Sequence, residues 1–143
     1  MKIYQIMAIS ASALTAEKLR LDTIANNIAN INTTRTREGG PFQRKIVVFE
    51  EMLEKQSPEG IGKEVGQGVR VKEIVADDKT PFKLVKDPAH PDADQNGNVL
   101  YPNVDLSTEM IDMLTSLRAY QSNVAVLNTT RAMAEKALEI NRS

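Results

Sequence analysis

The sequence predicts a mainly α-helical protein with a small β-rich insertion, in which long N- and C-terminal helices pair as a coiled-coil hairpin. Apolar residues recur at gaps of three and four near both ends of the chain, a spacing that lines one seam of a helix. All seven glycines and all six prolines lie between those ends, within residues 39–102. We therefore divide the chain into an N-terminal helix (1–34), a central β-hairpin and loop region (35–104) and a C-terminal helix (105–143).

The N-terminal helix is predicted from about Ile3 to Ile31, roughly 40 Å at 1.5 Å per residue. Its apolar stripe is broken by the polar residues Ser10 and Glu17 and consists of Met7, Leu14, Leu21, Ile24, Ile28 and Ile31. Its last turns are rich in asparagine, which is tolerated where a helix ends or where the side-chain amide has a partner on another helix. The Gly39-Gly40-Pro41 run that follows excludes any longer helix.

The C-terminal helix is predicted from an N-cap at Asp105 to about Ile140, roughly 50 Å. Glu109 lies in its first turn, where the helix dipole favours a negative charge. Its heptad stripe is broken once, by Arg131, and consists of Met110, Met113, Leu117, Tyr120, Val124, Leu127, Ala134 and Leu138. Isolated polar residues in such a stripe set the register and the choice of partner at some cost in stability.

The centre of the chain is predicted to hold short strands and loops. Phe42–Phe49 is a strand that Glu50–Lys55 either extends or ends in a turn, and Ser57–Gly68, with four glycines, is a mobile loop. Residues 69–74 alternate in the manner of a half-exposed strand. Two further short strands are predicted at Phe82–Val85 and Val99–Tyr101, with a turn-rich segment at Pro88–Asn103.

Composition excludes several classes of protein. The 18 basic and 19 acidic residues nearly cancel, which argues against general nucleic-acid affinity. The chain has no cysteine, so disulfides and thiolate metal sites are excluded. No apolar run approaches the roughly 20 residues that span a bilayer. The N-terminus has no clear apolar core or cleavage site of a signal peptide, so we expect a cytoplasmic protein or one exported without cleavage.

One segment matches part of a calcium-binding loop. Residues 92–97, Asp-Ala-Asp-Gln-Asn-Gly, fit the first six positions of an EF-hand, but the twelfth position is Asn103 rather than the required glutamate. Prolines on both sides also oppose an entering helix. We favour a tight turn fixed by aspartate side chains, with Gly97 at a positive φ. The glycines at 60–68 fit neither phosphate-loop spacing.

No catalytic arrangement can be assembled from these residues. His90 is the one histidine, and we expect it to fix a turn or a contact. We predict no enzyme, no cofactor, no metal site and no small-molecule substrate. The leading hypothesis is a structural assembly subunit. The alternatives are a self-contained coiled-coil adaptor or export chaperone in the cytoplasm, and a calcium-binding module that uses the Asp92 loop.

Several motifs closely resemble those of the bacterial flagellar axial proteins, which build the rod and hook. The N-terminal signature of that family is matched at 10–16 and 22–34, and the C-terminal helix matches at 109–113, 118–120 and Asn123. Within the family, the continuation at 35–45 and the blocks at 90–94, 97–99 and 102–105 are similar to those of a proximal-rod subunit. The resemblance therefore spans nearly the whole chain.

The resemblance implies a structural subunit of the proximal rod, exported uncleaved through the flagellar type III apparatus. It would assemble helically, with its terminal helices in the inner coiled-coil layer of a tube that crosses the periplasm and transmits torque. The expected partners are the rod proteins FlgB, FlgF and FlgG, the adapter FliE and further copies of the chain itself. Such a subunit is needed for flagellum assembly and motility.

We assign the interface between subunits to residues of the two terminal helices. Stiff torque transmission requires many closely packed helices in a fixed register, and asparagine amides can penalise slipped registers. The predicted interface residues are Leu14, Leu21, Ile24, Asn26, Asn27, Ile28, Asn30, Ile31, Met110, Met113, Leu117, Tyr120, Asn123, Val124 and Leu127. The predicted contacts of the central region with neighbours are Arg35, Arg37, Arg44, Lys45 and His90.

Overall fold

A computed structural model describes residues 3–55 and 64–142 of the chain. Its elements, in chain order, are α1 (Ile3–Ala29), β1 (Lys45–Lys55), β2 (Glu64–Ala76), β3 (Lys83–Lys86), β4 (Asn98–Tyr101) and α2 (Leu106–Arg142). The strands form two separate two-stranded antiparallel sheets, β1–β2 and β3–β4. Two long terminal helices around a small central β region are therefore confirmed. Among the described helices, none has a long enough apolar stretch to cross a membrane.

Side chains satisfy backbone groups at the end of α1 and at the start of α2. α1 ends at Ala29, two residues before the predicted position, and the Asn30 side-chain amide there donates to the Asn26 carbonyl at 2.9 Å. At the start of α2, one Asp105 carboxylate oxygen accepts the backbone N–H and the hydroxyl of Thr108, each at 3.0 Å. The Thr108 N–H bond lowers the pKa of Asp105, and the predicted N-cap is confirmed.

The β1–β2 ribbon is longer than the sequence predicted. β1 begins at Lys45 and continues through Lys55, so the extended alternative for residues 50–55 is confirmed. β2 begins at Glu64, which makes the predicted loop wrong over residues 64–68. The rest of that predicted loop, 57–63, lies outside the described residues. The register shifts between Met52 and Leu53, opposite the glycines that suggested a loop.

Gly68 allows this ribbon to lie directly on α1. Its φ is +114°, and an added Cβ would come within 2.2 Å of the Ser12 hydroxyl oxygen. That hydroxyl accepts the Val69 backbone N–H at 3.1 Å and donates to the Ile9 carbonyl at 2.7 Å. A glycine inside a strand therefore marks the closest approach of two backbones rather than a loop.

The turn before β4 has the predicted aspartate-fixed geometry. One Asp94 carboxylate oxygen accepts the backbone N–H groups of Asn96 and Asn98, each at 2.8 Å, and Gly97 has a φ of +76°. The Asn98 N–H bond lowers the pKa of Asp94. The Asp92 carboxylate accepts the Thr34 hydroxyl at 2.8 Å and pairs with Arg35 at 2.6 Å. These aspartates therefore hold groups of the chain itself.

The described residues that are buried most fully are largely polar. α1 contacts both α2 and the ribbon, so it lies at the centre of the fold. The buried apolar side chains are those of Ala16, Ile24, Val99 and Val104. The buried polar or charged ones are Ser10, Thr23, Asn27, Asp77, Asn103, Glu109, Ser116 and Thr130. The heptad stripes are thus largely absent from the core of a single subunit.

Candidate assembly interface

The seam between α1 and α2 within one chain contains buried polar residues. Ser116, which has no exposed surface, donates its hydroxyl to the Glu17 carboxylate at 2.5 Å. Arg20 and Asp112 pair beside it at 3.8 Å. Ser10 and Glu17, which the sequence predicted as breaks in an apolar seam, therefore belong to the surface that faces or flanks α2. Small side chains and hydrogen bonds let the two helices lie close together here.

The two apolar stripes lie on one side of the helix pair. Leu14 and Leu21 of the α1 stripe lie four positions after the seam residues Ser10 and Glu17, a rotation of about 40° at 3.6 residues per turn. On α2, one half of the stripe (Met110, Leu117 and Val124) lies one position after the seam residues, about 100°. The other half (Met113, Tyr120 and Leu127) lies four positions after them, about 40°, and is half-buried beside the seam. In an antiparallel pair these rotations turn both stripes toward the same side. We call this surface the apolar face; its residues are Met7, Leu14, Leu21, Ile28, Met110, Leu117 and Val124.

The β1–β2 ribbon lies on the other side of the helix pair. It contacts α1 through Ser12 and Asn27, which are rotated from the seam in the opposite direction to Leu14 and Leu21. The apolar face is therefore left uncovered by the described part of the chain. Met110 remains 53% exposed and Leu117 40% exposed, and the other members of the face are half-buried.

A buried polar junction joins the end of α1 to β1 and to the start of α2. The Asn27 side-chain nitrogen donates to the Lys45 carbonyl at 2.9 Å and to the Glu109 carboxylate at 3.1 Å. The Asn27 side-chain oxygen accepts the Lys45 backbone N–H at 2.9 Å. The amide thus pairs with a strand backbone as a neighbouring strand would, and it also reaches the opposite helix. Asn27 is 1% exposed.

Arg44 supplies the positive charge of the polar junction. Its Nε donates to Glu109 at 2.5 Å, and its Nη2 donates to Asp112 at 3.1 Å. Its Nη1 lies 3.7 Å from the Asp77 carboxylate. Burial alone would lower the pKa of Arg44, but the hydrogen bond to Glu109 and the charges of the three carboxylates raise it. The guanidinium therefore stays charged and holds β1 against α2.

The remaining members of the junction anchor the end of β2. The Asn103 side-chain oxygen accepts the Arg44 backbone N–H at 2.7 Å, and its nitrogen donates to the Asp77 and Thr80 carbonyls. The Thr80 hydroxyl, which donates to Asp77 at 2.8 Å, is the largest cause of the lowered pKa of that carboxyl. Across the described side chains, each buried nitrogen or oxygen has a hydrogen-bond partner.

The predicted interface residues differ in what they do within one chain. Ile24 and Asn27 are buried, whereas Asn26 is exposed. The Asn30 and Asn123 side chains donate to carbonyls four residues earlier in the chain, so neither amide bridges α1 and α2. The remaining predicted residues are half-buried or exposed, with surface left for a neighbour: Leu14, Leu21, Ile28, Ile31, Met110, Met113, Leu117, Tyr120, Val124 and Leu127.

The predicted central contacts also divide into two groups. Arg35 and Arg44 have acidic partners within the chain, Asp92 for the first and Glu109 for the second. The side chains of Arg37 and Lys45 are exposed. His90 fixes the turn, because its Nδ1 accepts the Asp92 backbone N–H at 3.1 Å and its ring lies edge-on to Tyr101.

The sequence predicted Asn27 as an interface residue, but it did not predict the other acidic and amide members of the polar junction. Glu109 was assigned only to the helix dipole, and Asp77 and Asn103 were given no role in the core. A signal existed on α2: the polar residues Glu109, Ser116, Asn123 and Thr130 recur at intervals of seven. A polar residue at every seventh position, next to an apolar stripe, indicates that the helix has two contact surfaces. One of them is used within the chain and the other is available to neighbours.

The described residues form an exposed packing surface, the apolar face, beside a polar junction. In residues 3–55 and 64–142, no three histidine or acidic side chains converge to hold a metal ion.

Two family models match the chain, one at each helical end. The family described as "Flagella basal body rod protein" matches residues 7–35, and "Flagellar basal body rod FlgEFG protein C-terminal" matches residues 95–140. The class is therefore that of flagellar rod proteins.

Curated relatives narrow the class to one family. The flagellar basal-body rod protein FlgC of Borreliella burgdorferi is 41% identical over 98% of both chains. FlgC of Bacillus subtilis is also 41% identical, over 99% of this chain and 100% of its own. FlgC of Salmonella typhimurium is 37% identical over the same shares. The chain belongs to the FlgC family of flagellar basal-body rod proteins; it is a structural component of the rod and not an enzyme.

Proposed function

We propose that this rod subunit assembles helically in the proximal rod by packing its apolar face against terminal helices of neighbouring subunits. The observation that carries the proposal is the uncovered apolar face, which lies beside an intrachain seam that is already satisfied by polar contacts. Burying apolar surface stabilises an interface by roughly 25 cal/mol per Å². We infer that α1 and α2 pair as a coiled-coil hairpin within each subunit and that neighbouring subunits extend this pairing into a coiled-coil layer.

The polar junction gives such an assembly its stiffness. Torque passes between subunits only if each helix pair keeps its position relative to its own β-region. Asn27, which is buried, and Arg44, which is half-buried, connect α1, β1 and α2 through hydrogen bonds to the buried Glu109. A buried polar network of this kind favours one register over slipped alternatives. Residues 1–34 and 105–143 then form the inner layer of the tube, with 35–104 outside it.

The β-region contributes the outward contacts in this proposal. The ribbon lies on the side of the helix pair away from the apolar face, so a subunit with that face turned inward presents the ribbon outward. Arg37 and Lys45 are exposed cations among the predicted central contacts, and we assign them to acidic surfaces of neighbours. Arg44 and Arg35 act within the subunit, and His90 supports the turn beside them.

The neighbours in this proposal are other axial proteins of the flagellum. We infer contacts with the rod proteins FlgB, FlgF and FlgG, with the adapter FliE and with further copies of the chain. The rod would cross the periplasm and transmit torque, after uncleaved export through the flagellar type III apparatus. No nucleic acid, cofactor or small-molecule substrate is part of the proposal.

The test replaces two residues of the apolar face by charges. A strain that lacks this chain is complemented with the wild type or with the double variant Leu117→Asp, Val124→Asp. We expect the variant to be exported but to leave no rod, since two carboxylates would be buried without partners. Swimming, basal bodies seen by electron microscopy and secreted subunit are measured together.

The matched control carries the same charges on another face of α2. Thr115→Asp with Val126→Asp changes two exposed residues on the side of α2 opposite the apolar face. We expect this variant to restore rods and swimming. Normal rods from the Leu117, Val124 double variant would rule out the apolar face as the contact between subunits.

A further inference from the structure

A second apolar feature lies on the flank of α1 that faces away from α2. It is a groove of about 500 Å³ between α1 and β2, with a charged rim of Lys18, Asp22 and Arg70. Its floor and walls consist of Ser12, Thr15, Ala16, Leu19, Val69 and Val71. Leu19 remains 36% exposed within it. This groove is separate from the apolar face.

A matching ridge lies on the opposite flank of the same chain. Ile111 and Leu114 of α2 are 64% and 54% exposed. By helical periodicity they point away from Glu109, Asp112 and Ser116, the residues that meet α1 and the polar junction. A large side chain left exposed on each of two adjoining turns is a candidate contact surface.

The groove and the ridge lie at the same height along the helix pair. Glu17 contacts Ser116 across the seam, and the helices are antiparallel. Two residues further along α1 is Leu19, and two residues back along α2 is Leu114, so these side chains are level. A neighbour translated sideways, without sliding along the axis, would therefore bring its ridge to this groove.

We propose that the groove receives Ile111 and Leu114 of a second copy of this chain lying side by side with the first. The inference rests on the proposed function, because it names one lateral contact made in the rod. The contact joins two different surfaces of the chain, so it repeats from copy to copy without closing a dimer. The second copy is favoured as occupant because the same chain carries both surfaces at equal height.

The absence of cysteine permits a direct cross-linking test. Leu19→Cys and Leu114→Cys are expressed as two separate chains, at equal levels, in a strain with no other copy, and basal bodies are isolated under mild oxidation. A disulfide forms only when the two Cα atoms come within roughly 7 Å. We expect a cross-linked dimer from the mixture and none from either single variant, because the surfaces differ.

The matched control replaces Leu114→Cys by Val126→Cys, an exposed position on the same helix that lies outside both the apolar face and the ridge, roughly 18 Å further along α2. We expect its yield of dimer with Leu19→Cys to be at least tenfold lower. Equal yields from both mixtures would overturn the proposal. So would a bond from Leu19→Cys to a different rod protein, identified by mass spectrometry, or rods that assemble with no cross-link.

A charge substitution keeps the two proposals distinguishable. Leu114→Arg should reduce the number of rods per cell at least tenfold while the purified monomer keeps its circular dichroism and melting temperature. If Leu114→Arg assembles normally while the Leu117, Val124 variant does not, the lateral contact is wrong and the apolar-face mechanism stands. If both assemble normally, both proposals fail.

Discussion

Glu109 shows how one side chain sets the arrangement of several elements. It has no exposed surface, and it accepts hydrogen bonds from Arg44 on one carboxylate oxygen and from Asn27 on the other. Placed in the first turn of α2, it also benefits from the helix dipole. Breaking a buried ion pair by removing one partner costs much more than an exposed pair contributes.

We therefore predict that Glu109→Gln destabilises the subunit by about 3 kcal/mol, because the half-buried Arg44 guanidinium loses its closest anion, the fully buried Glu109 carboxylate. Urea denaturation of the purified monomer, followed by circular dichroism, measures the loss. Glu135→Gln is the matched control, since it removes an exposed ion pair with Arg131 and should change stability by less than about 0.5 kcal/mol. Equal midpoints for wild type and Glu109→Gln would contradict the role of the junction.

The ribbon shows at the scale of elements how close packing overrides local composition. A stretch with Gly66 and Gly68 has poor strand propensity, yet β2 continues through it. The Ser12 hydroxyl accepts a backbone N–H of β2 at this point, and only a glycine lets the two backbones come this near. The contact fixes the ribbon along α1.

Gly68→Ala should destabilise the fold by about 2 kcal/mol, because its Cβ meets Ser12 and its φ is positive. Gly66→Ala is the control in the same strand, where the added Cβ meets only the end of the Glu51 side chain at 3.2 Å. We expect less than about 0.5 kcal/mol there. Thermal unfolding of both variants measures the loss of stability. Equal losses in Gly68→Ala and Gly66→Ala would show that the contact of Gly68 with Ser12 has no special role.

The number of tertiary contacts that stabilise the helix pair differs between its two ends. The polar junction closes the end where α1 meets β1 and α2. At the other end, the contact between Glu17 and Ser116 fixes how the antiparallel helices are aligned, and it places Ile3 beside Thr130. Residues 131–142 of α2 therefore extend beyond the start of α1 by roughly 18 Å. Met133, Leu138 and Ile140 in this extension are largely exposed. Segments with few buried contacts open first.

Hydrogen exchange should reveal this gradient in the free subunit. We expect amides of residues 131–142 to exchange at least 100-fold faster than those near Asn27 and Glu109, and to become protected in assembled rods as neighbours cover them. Mass spectrometry of monomer and isolated basal bodies measures both states. Uniform protection along α2 in the monomer would show that its end is stable without a neighbour.

The sequence predicted the two helices, the N-cap at Asp105 and the turn at Gly97, because each depends on local spacing and on side chains close in the chain. It also predicted the apolar stripes. It did not predict the strand at residues 64–68, since the reason for Gly68 is Ser12, more than fifty residues away in the chain. Long-range contacts of this kind leave no local pattern.

The sequence by itself determined that this chain has two apolar helical stripes, and the motifs on them determined its family. Only the tertiary structure decided whether each stripe faces the other helix of the same chain or remains exposed for a neighbour. The helices meet through Glu17 and Ser116 and are locked by Arg44, so the apolar stripes turn together to the side opposite the ribbon. The physical reason is that an apolar stripe is stable only when another surface covers it, but the stripe does not determine which surface that is. Polar contacts between residues far apart in the chain determine which helix faces meet within the subunit and which remain for a neighbour.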